Sequence, residues 1–208
     1  MQPQGPYRLG GYSFGAKVAF EMAQRLCDQG QRIDLLVVLD ISLPPSSRTF
    51  VESDADTPYI LELGLLFEST YGKPLSLSKQ TLQTLGPDGQ LDYFVERLNQ
   101  ADLRIERNDV REILAVFKAN VQAEFRYVPS LEHQIPILLF KAAELHTAIS
   151  SVVDPDDETW GWRRYAKGVL ESATIPGDHY TMMIEPQVHI MAKHLEARLK
   201  RIDNGTKE

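Results

Sequence analysis

Only one cysteine, Cys27, occurs in the chain, which excludes an internal disulfide and a cysteine-built metal cluster. Its place near the end of a helical segment fits a small packed residue. No apolar run approaches the length that spans a bilayer, and no signal peptide is visible. A cytoplasmic protein with no membrane partner is therefore expected. Positive charge is in deficit, with 22 lysines and arginines against 29 acidic residues and a net charge of −7. No basic stripe is interleaved with aromatics, which argues against nucleic acid as a partner. Repeats and low-complexity segments are absent too. What is present is an ordinary apolar content of 43% over 208 residues, enough for one sizeable core and a small subdomain.

The most specific pattern is Gly11-Tyr12-Ser13-Phe14-Gly15, which fits G-x-S-x-G, the nucleophile elbow. Its context carries more weight than the match. A short strand precedes it and a helical pattern follows, with Val18, Ala19, Met22, Ala23 and Leu26 apolar. A serine that leaves a strand and enters a helix within one residue sits in strained backbone. Its neighbours two positions away are expected to need bare backbone on both sides, hence Gly11 and Gly15. The strain would lift the hydroxyl clear of the sheet. The helix starting at Phe14 would aim its free amides at an oxyanion formed there, so the Phe14 amide is the expected oxyanion-hole donor. The plain alternative is a tight strand-to-helix turn without chemistry.

The elbow helix, about 14–28, ends at Gly30, and an apolar run at 33–39 reads as a buried parallel strand that stops at Asp40. Pro44-Pro45 then forbid regular structure. Further strand candidates are 137–140, introduced by Pro136, and 168–175, ended by Pro176-Gly177. Strand, helix, strand order predicts an α/β parallel sheet with right-handed crossovers. Between residues 39 and 137 the patterns are helical: about 57–71 with Ile60, Leu63, Leu66 and Phe67; about 88–100; and about 109–127. The last of these carries Ile113, Val116, Phe117, Val121 and Phe125. Gly72-Lys73-Pro74 and Gly86-Pro87-Asp88-Gly89 separate the three. An all-helical insertion between sheet strands reads as a lid over the strand ends, with an apolar channel to Ser13. The expected layout is one domain, 1–208, with its core at 1–50 and 130–203 and its lid at about 51–129. A final helix, about 186–202, carries Val188, Met191, Leu195 and Leu199 on one face.

A serine hydroxyl needs a base to take its proton, and the base needs a group to fix its tautomer. Of five histidines, His189 and His194 lie in the last helix, five residues apart, which does not put them on one face. His133 and His146 flank a strand as loop residues. His179 lies in Ile175-Pro176-Gly177-Asp178-His179-Tyr180, a tight turn after the last strand candidate, where an α/β hydrolase brings its histidine to the serine. Asp40, at the C-terminal end of a parallel strand, is on the ligand side of the sheet. Glu144, Asp154, Asp156 and Asp157 compete with it. Asp178 is too near His179 in sequence to orient it. The order Ser13, Asp40, His179 is the order expected of α/β hydrolases.

Gly5-Pro6-Tyr7-Arg8 leading into Gly-Tyr-Ser-Phe-Gly, then Val18-Ala19-Phe20-Glu21-Met22-Ala23 and Leu36-Val37-Val38-Leu39-Asp40, resembles type I thioesterase domains. These serve nonribosomal peptide synthetases, polyketide synthases and animal fatty acid synthase. The match continues at Trp162, Ile175-Pro176-Gly177-Asp178-His179-Tyr180-Thr181-Met182-Met183 and Glu185-Pro186. The resemblance implies an α/β-hydrolase-like sheet with a helical lid insertion, and favours Asp40 over Glu144 as the acid. It implies release of an acyl, peptidyl or polyketide chain from the phosphopantetheine of a carrier protein. The carrier would lie in cis upstream or in trans, and the enzyme itself would need no cofactor. Family members carry several strands and a helix before the elbow, together with a loop that gives a second oxyanion-hole amide. The chain is therefore expected to be N-terminally truncated, with the Ser13 strand as an exposed edge prone to self-association. A stand-alone esterase or editing thioesterase is the alternative enzyme. A non-catalytic carrier-binding module or inactive fragment is the alternative outside enzymes.

Overall fold

The run Ile-Asp-Leu-Leu-Val-Val-Leu is apolar nearly throughout because both faces of the strand it forms are covered. This strand, β2 (Ile33–Leu39), lies between β1 (Tyr7–Tyr12) and β3 (Ile137–Ala142), with β4 (Leu170–Ile175) beyond β3. All three pairings are parallel. The computed structural model describes residues 4–43, 56–131, 133, 135–144, 157–166 and 170–205. Pro44, Pro45 and Gly168 lie outside the described residues. β3 runs past the expected end at Phe140 to Ala142.

Tyr7 pairs with Ile33 but Arg8 pairs with Leu35, so Asp34 is an extra residue in the ladder. Such a bulge flips the alternation of side chains along the strand. Ile33, Leu36 and Val38 accordingly join one apolar cluster with Phe20 and Trp162, while Leu35 joins another with Phe140 and Met191. Helix α1 (Phe14–Asp28) supplies the first cluster through Ala16, Ala19, Phe20 and Ala23. Of the expected apolar positions, Ala19, Ala23 and Leu26 pack in or against this cluster, whereas Val18 and Met22 give way to Ala16 and Phe20. Val18 and Met22 are 44% and 48% exposed, and the alanines let the helix approach the sheet. Cys27 is a free thiol packed against the margin of this cluster.

The chain divides into two compact units, Met1–Arg48 with Tyr127–Glu208, and Thr49–Arg126. Described by itself, the second unit is helical: α2 (Thr57–Tyr71), α3 (Lys79–Thr84), α4 (Pro87–Gln100) and α5 (Arg107–Arg126). Gly72, at φ 64°, closes α2 in the left-handed conformation. The short α3 has no counterpart in the sequence reading. Its six residues are too few to show a period, and it is capped by Ser78 Oγ accepting from the Thr81 amide at 3.2 Å. The expected break at 86–89 contains the start of α4, since proline at the first helical position lacks only an amide that the first turn does not use. Ile60, Leu63, Phe67, Phe94 and Leu98 form the core of this unit with Val110 and Leu114 of α5. Ile113 and Val116, read as packing positions, are 38% and 61% exposed. The Phe125 side chain lies outside the description.

In the first unit, α6 (Gln187–Gly205) follows β4 and packs Val188, Met191, Leu195 and Leu199 against Leu35, Phe140 and Ile175. No helix among the described residues is long and apolar enough to cross a membrane.

Candidate active site

β1 passes into α1 through a single residue, Ser13, at φ 52° and ψ −133°. A non-glycine residue at positive φ is strained by about 1–3 kcal/mol and persists only where its surroundings over-determine it. Here the Ser13 amide donates to Leu39 O at 2.9 Å, and the Ser13 carbonyl accepts from the Ala16 amide at 2.9 Å. The sharp turn presses the first turn of α1 back onto β1. A Cβ on Gly11 would fall 2.1 Å from the Gly15 carbonyl oxygen, so Gly11 must be bare. A Cβ on Gly15 would meet nothing within 4 Å. The expected need for glycine on both sides of the serine therefore reduces to one side. Phe14 is the first residue of α1, where leading amides have no partner within the helix.

Asp40 follows β2 directly, is 2% exposed and also has positive φ, at 52°. Its amide donates to Phe140 O at 2.9 Å, and its Oδ1 accepts from the Ala142 amide at 2.5 Å. Its other oxygen, Oδ2, lies 2.8 Å from His179 Nδ1. An ionised carboxylate only accepts hydrogen bonds. The pair is complete when His179 carries its proton on Nδ1, which leaves Nε2 with the lone pair.

His179 stands in the turn after β4, at 8% exposure. Asp178 builds that turn: its Oδ1 accepts from the Tyr180 amide at 3.0 Å, the Thr181 amide at 2.8 Å and the Thr181 hydroxyl at 2.7 Å. The Tyr12 hydroxyl donates to the His179 carbonyl at 2.6 Å, and the two rings stack with centroids 4.7 Å apart. Burial, reinforced by Tyr180, Asp40 and Asp178, pushes the Tyr12 phenol well above the usual tyrosine range. Among the described residues no hydrogen bond joins the Ser13 hydroxyl to a histidine ring. Such bonds often tighten only with substrate in place.

The competing groups have other surroundings. Glu144 is exposed, and its amide donates to Gly177 O at 3.0 Å. Asp157 accepts from the Thr159 amide and hydroxyl and from the Gly161 amide. Partial burial opposes its ionisation, but these hydrogen bonds prevail and hold its carboxyl below the usual range. Asp154, Asp156 and His146 lie outside the described residues. His133 Nε2 lies 2.7 Å from Asp28, His189 lies 3.3 Å from Glu185, and His194 packs edge-on to Phe140. Two contributors were not visible in the sequence: the Ala142 amide, a backbone donor that every residue but proline supplies, and the Tyr12 contact to His179. Trp162 also contributes, donating from Nε1 to Ile41 O at 2.7 Å beside Asp40.

The non-reducing polyketide synthase stmB of Aspergillus ustus is 43% identical over 208 aligned residues, covering 94% of this chain and 10% of that protein. Chondramide synthase cmdD of Chondromyces crocatus is 28% identical over 216, covering 99% of this chain and 5% of the synthase. The crystal structure of holo-AB3403, a four-domain nonribosomal peptide synthetase bound to AMP and glycine, superposes with a TM-score of 0.80 at 28% identity. That match covers 95% of this chain and 14% of that one. The chain thus spans a small part of the length of these three proteins, and its parallel sheet with flanking helices is the α/β-hydrolase fold of thioesterase domains. Since the model of the Thioesterase domain matches residues 1–199, nearly the whole length, the chain belongs to the thioesterase domain family.

Proposed function

We propose that this thioesterase releases an acyl, peptidyl or polyketide chain from the phosphopantetheine arm of a carrier protein through an acyl-enzyme on Ser13. The observation that carries the reading is the buried Asp40–His179 pair at 2.8 Å, tied through Tyr12 to the strained turn that presents Ser13. His179 Nε2 takes the hydroxyl proton as Ser13 Oγ attacks the thioester carbonyl. The Phe14 amide donates to the oxyanion, in the field of the α1 N-terminus. Collapse expels the pantetheine sulfur, which leaves with the proton from His179. His179 then deprotonates either water or a hydroxyl or amine within the chain as it attacks the acyl-enzyme carbonyl; the ester to Ser13 breaks, Oγ takes the proton back from His179, and a free acid or a ring is released. The reaction so written needs no cofactor.

The insertion at about 51–129 is proposed as a lid because it interrupts the sheet between β2 and β3 in sequence and its described residues are mainly helical. The carrier is the proposed partner because the relatives named above are synthases and synthetases. Self-association is proposed at β1 because it is an edge of the sheet among the described residues.

The test is labelling with a fluorophosphonate, alongside hydrolysis of an acyl N-acetylcysteamine thioester, in the natural chain and in Ser13→Ala. Loss of both label and turnover in the variant is expected. Turnover that survives Ser13→Ala, or a label on another residue, would sink the assignment.

A further inference from the structure

The strands that carry the two halves of the site lie at opposite edges of the sheet. Ser13 follows β1 and His179 follows β4, with β2 and β3 between them. No ladder pairs β1 with β4, so backbone pairing alone does not set the distance from nucleophile to base. Asp40 fixes the far side of the imidazole through Nδ1, and the Glu144 amide ties the loop to the end of β3 at Gly177; neither bond runs to the β1 edge that carries Ser13. Tyr12 acts at the other end. Its hydroxyl reaches the His179 carbonyl at 2.6 Å, across 167 positions of sequence, and its ring lies against the imidazole with an interplanar angle of 24°.

We propose that Tyr12 is a positioning residue, a latch that holds the His179 loop to the turn presenting Ser13 and so sets base against nucleophile. The inference rests on the Ser13–Asp40–His179 reading and deepens it. Three features support the latch. Tyr12 precedes the nucleophile directly, so any displacement of its ring relative to His179 is passed to Ser13 through one peptide unit. The carbonyl that it binds belongs to the histidine itself, so the bond restrains the backbone from which the imidazole hangs. A tyrosine hydroxyl is protonated, hence able to donate, across the neutral range. Stacking alone would leave the loop free to slide in the ring plane; the hydrogen bond removes that freedom.

The experiment compares the natural chain with Tyr12→Phe, which keeps the stack and removes the hydroxyl, and with Tyr12→Leu, which removes both. Each is assayed for kcat and KM on an acyl N-acetylcysteamine thioester, for the rate of fluorophosphonate labelling at Ser13, and for thermal unfolding. The low-field Nδ1 proton of His179 is followed by NMR. For Tyr12→Phe, kcat and the labelling rate should fall about tenfold, the effect of one lost hydrogen bond in a positioned site. KM should stay near the natural value, the unfolding temperature should fall by no more than one lost part-buried hydrogen bond accounts for, and the Nδ1 resonance should broaden as the loop gains freedom. Tyr12→Leu should fall further in kcat. Natural kcat in Tyr12→Phe would overturn the latch. So would a loss that tracks a lowered unfolding temperature and disappears when the assay is cooled, since that would make Tyr12 part of the scaffold alone. A natural chain that neither labels at Ser13 nor turns over would overturn the catalytic reading itself, and the latch with it.

Discussion

Asp40→Asn isolates the chemical part of the site from its folding part, because the structure determines how the new amide must sit. Asp40 Oδ1 accepts from the Ala142 amide and Oδ2 faces His179 Nδ1 at 2.8 Å. An asparagine must keep its oxygen toward the Ala142 donor, since an NH2 group there would set donor against donor. Its nitrogen then points at His179 Nδ1 and donates to it. That interaction requires Nδ1 to be bare and moves the ring proton to Nε2, where the base needs its lone pair. The expected loss in kcat is about 10⁴-fold, the size found when the same tautomer error is imposed on a serine protease. On the rate scale that corresponds to about 5 kcal/mol of transition-state stabilisation. Stability should change little, because every buried polar atom still has a partner. Asp40→Ala is the control: it leaves the Ala142 amide and His179 Nδ1 without partners and should also cost about 1–3 kcal/mol in folding for each orphaned group. Thioester hydrolysis, chemical denaturation and nitrogen NMR of the His179 tautomer read the three effects apart. Turnover of Asp40→Asn within tenfold of the natural chain, or an equal loss in Glu144→Gln, would refute the reasoning.

The two elbow glycines should part company. Gly11→Ala places a methyl 2.1 Å from the Gly15 carbonyl and should destabilise by about 1–3 kcal/mol or more in denaturant, whereas Gly15→Ala, which meets nothing within 4 Å, should be neutral or gain up to about 1 kcal/mol of helix propensity. Equal losses at both positions would count against the asymmetric turn. Trp162→Phe removes the donor to Ile41 O from a fully buried side chain and should lower stability by about 1–3 kcal/mol; unchanged unfolding would mean that the carbonyl finds another partner. Light scattering against concentration tests association at the β1 edge, where Arg8→Pro removes a backbone donor. A natural chain that stays monomeric throughout would end that proposal.

What the sequence disclosed about the site, and what it withheld, follows from how each feature is encoded. Asp40 and His179 stand where regular structure stops, one after an unbroken apolar run and the other in a Pro-Gly turn. Such punctuation is local, so residue type and position bring both forward as candidates, although Asp40 stands beside Glu144 and its neighbours until the resemblance favours it. Ser13 was legible for the same reason. The side chains that pack the elbow were not. Helical spacing permits either Val18 and Met22 or Ala16, Phe20 and Ala23 to face the sheet, and the choice depends on how closely the backbones approach, which only the packed alanines reveal. Likewise Asp34 reads as one polar residue in a strand, yet as a bulge it decides which of its neighbours serve which face.

The connections between the catalytic groups are the least local features of all. The Ala142 amide that orients Asp40 is 102 positions away, and the Tyr12 hydroxyl is 167 positions from the carbonyl it binds. Neither has a signature, because any residue but proline offers an amide, and a tyrosine inside G-x-S-x-G is a free choice of the motif. Both depend on strand order, which sets Asp40 beside the end of β3 and puts the strands that lead to Ser13 and His179 at opposite edges of the described sheet. A motif therefore specifies which atoms react, whereas topology specifies what must hold them at reacting distance. On the reading proposed above, the second requirement falls on Tyr12, next to Ser13, whose ring and hydroxyl meet His179 in the loop after β4.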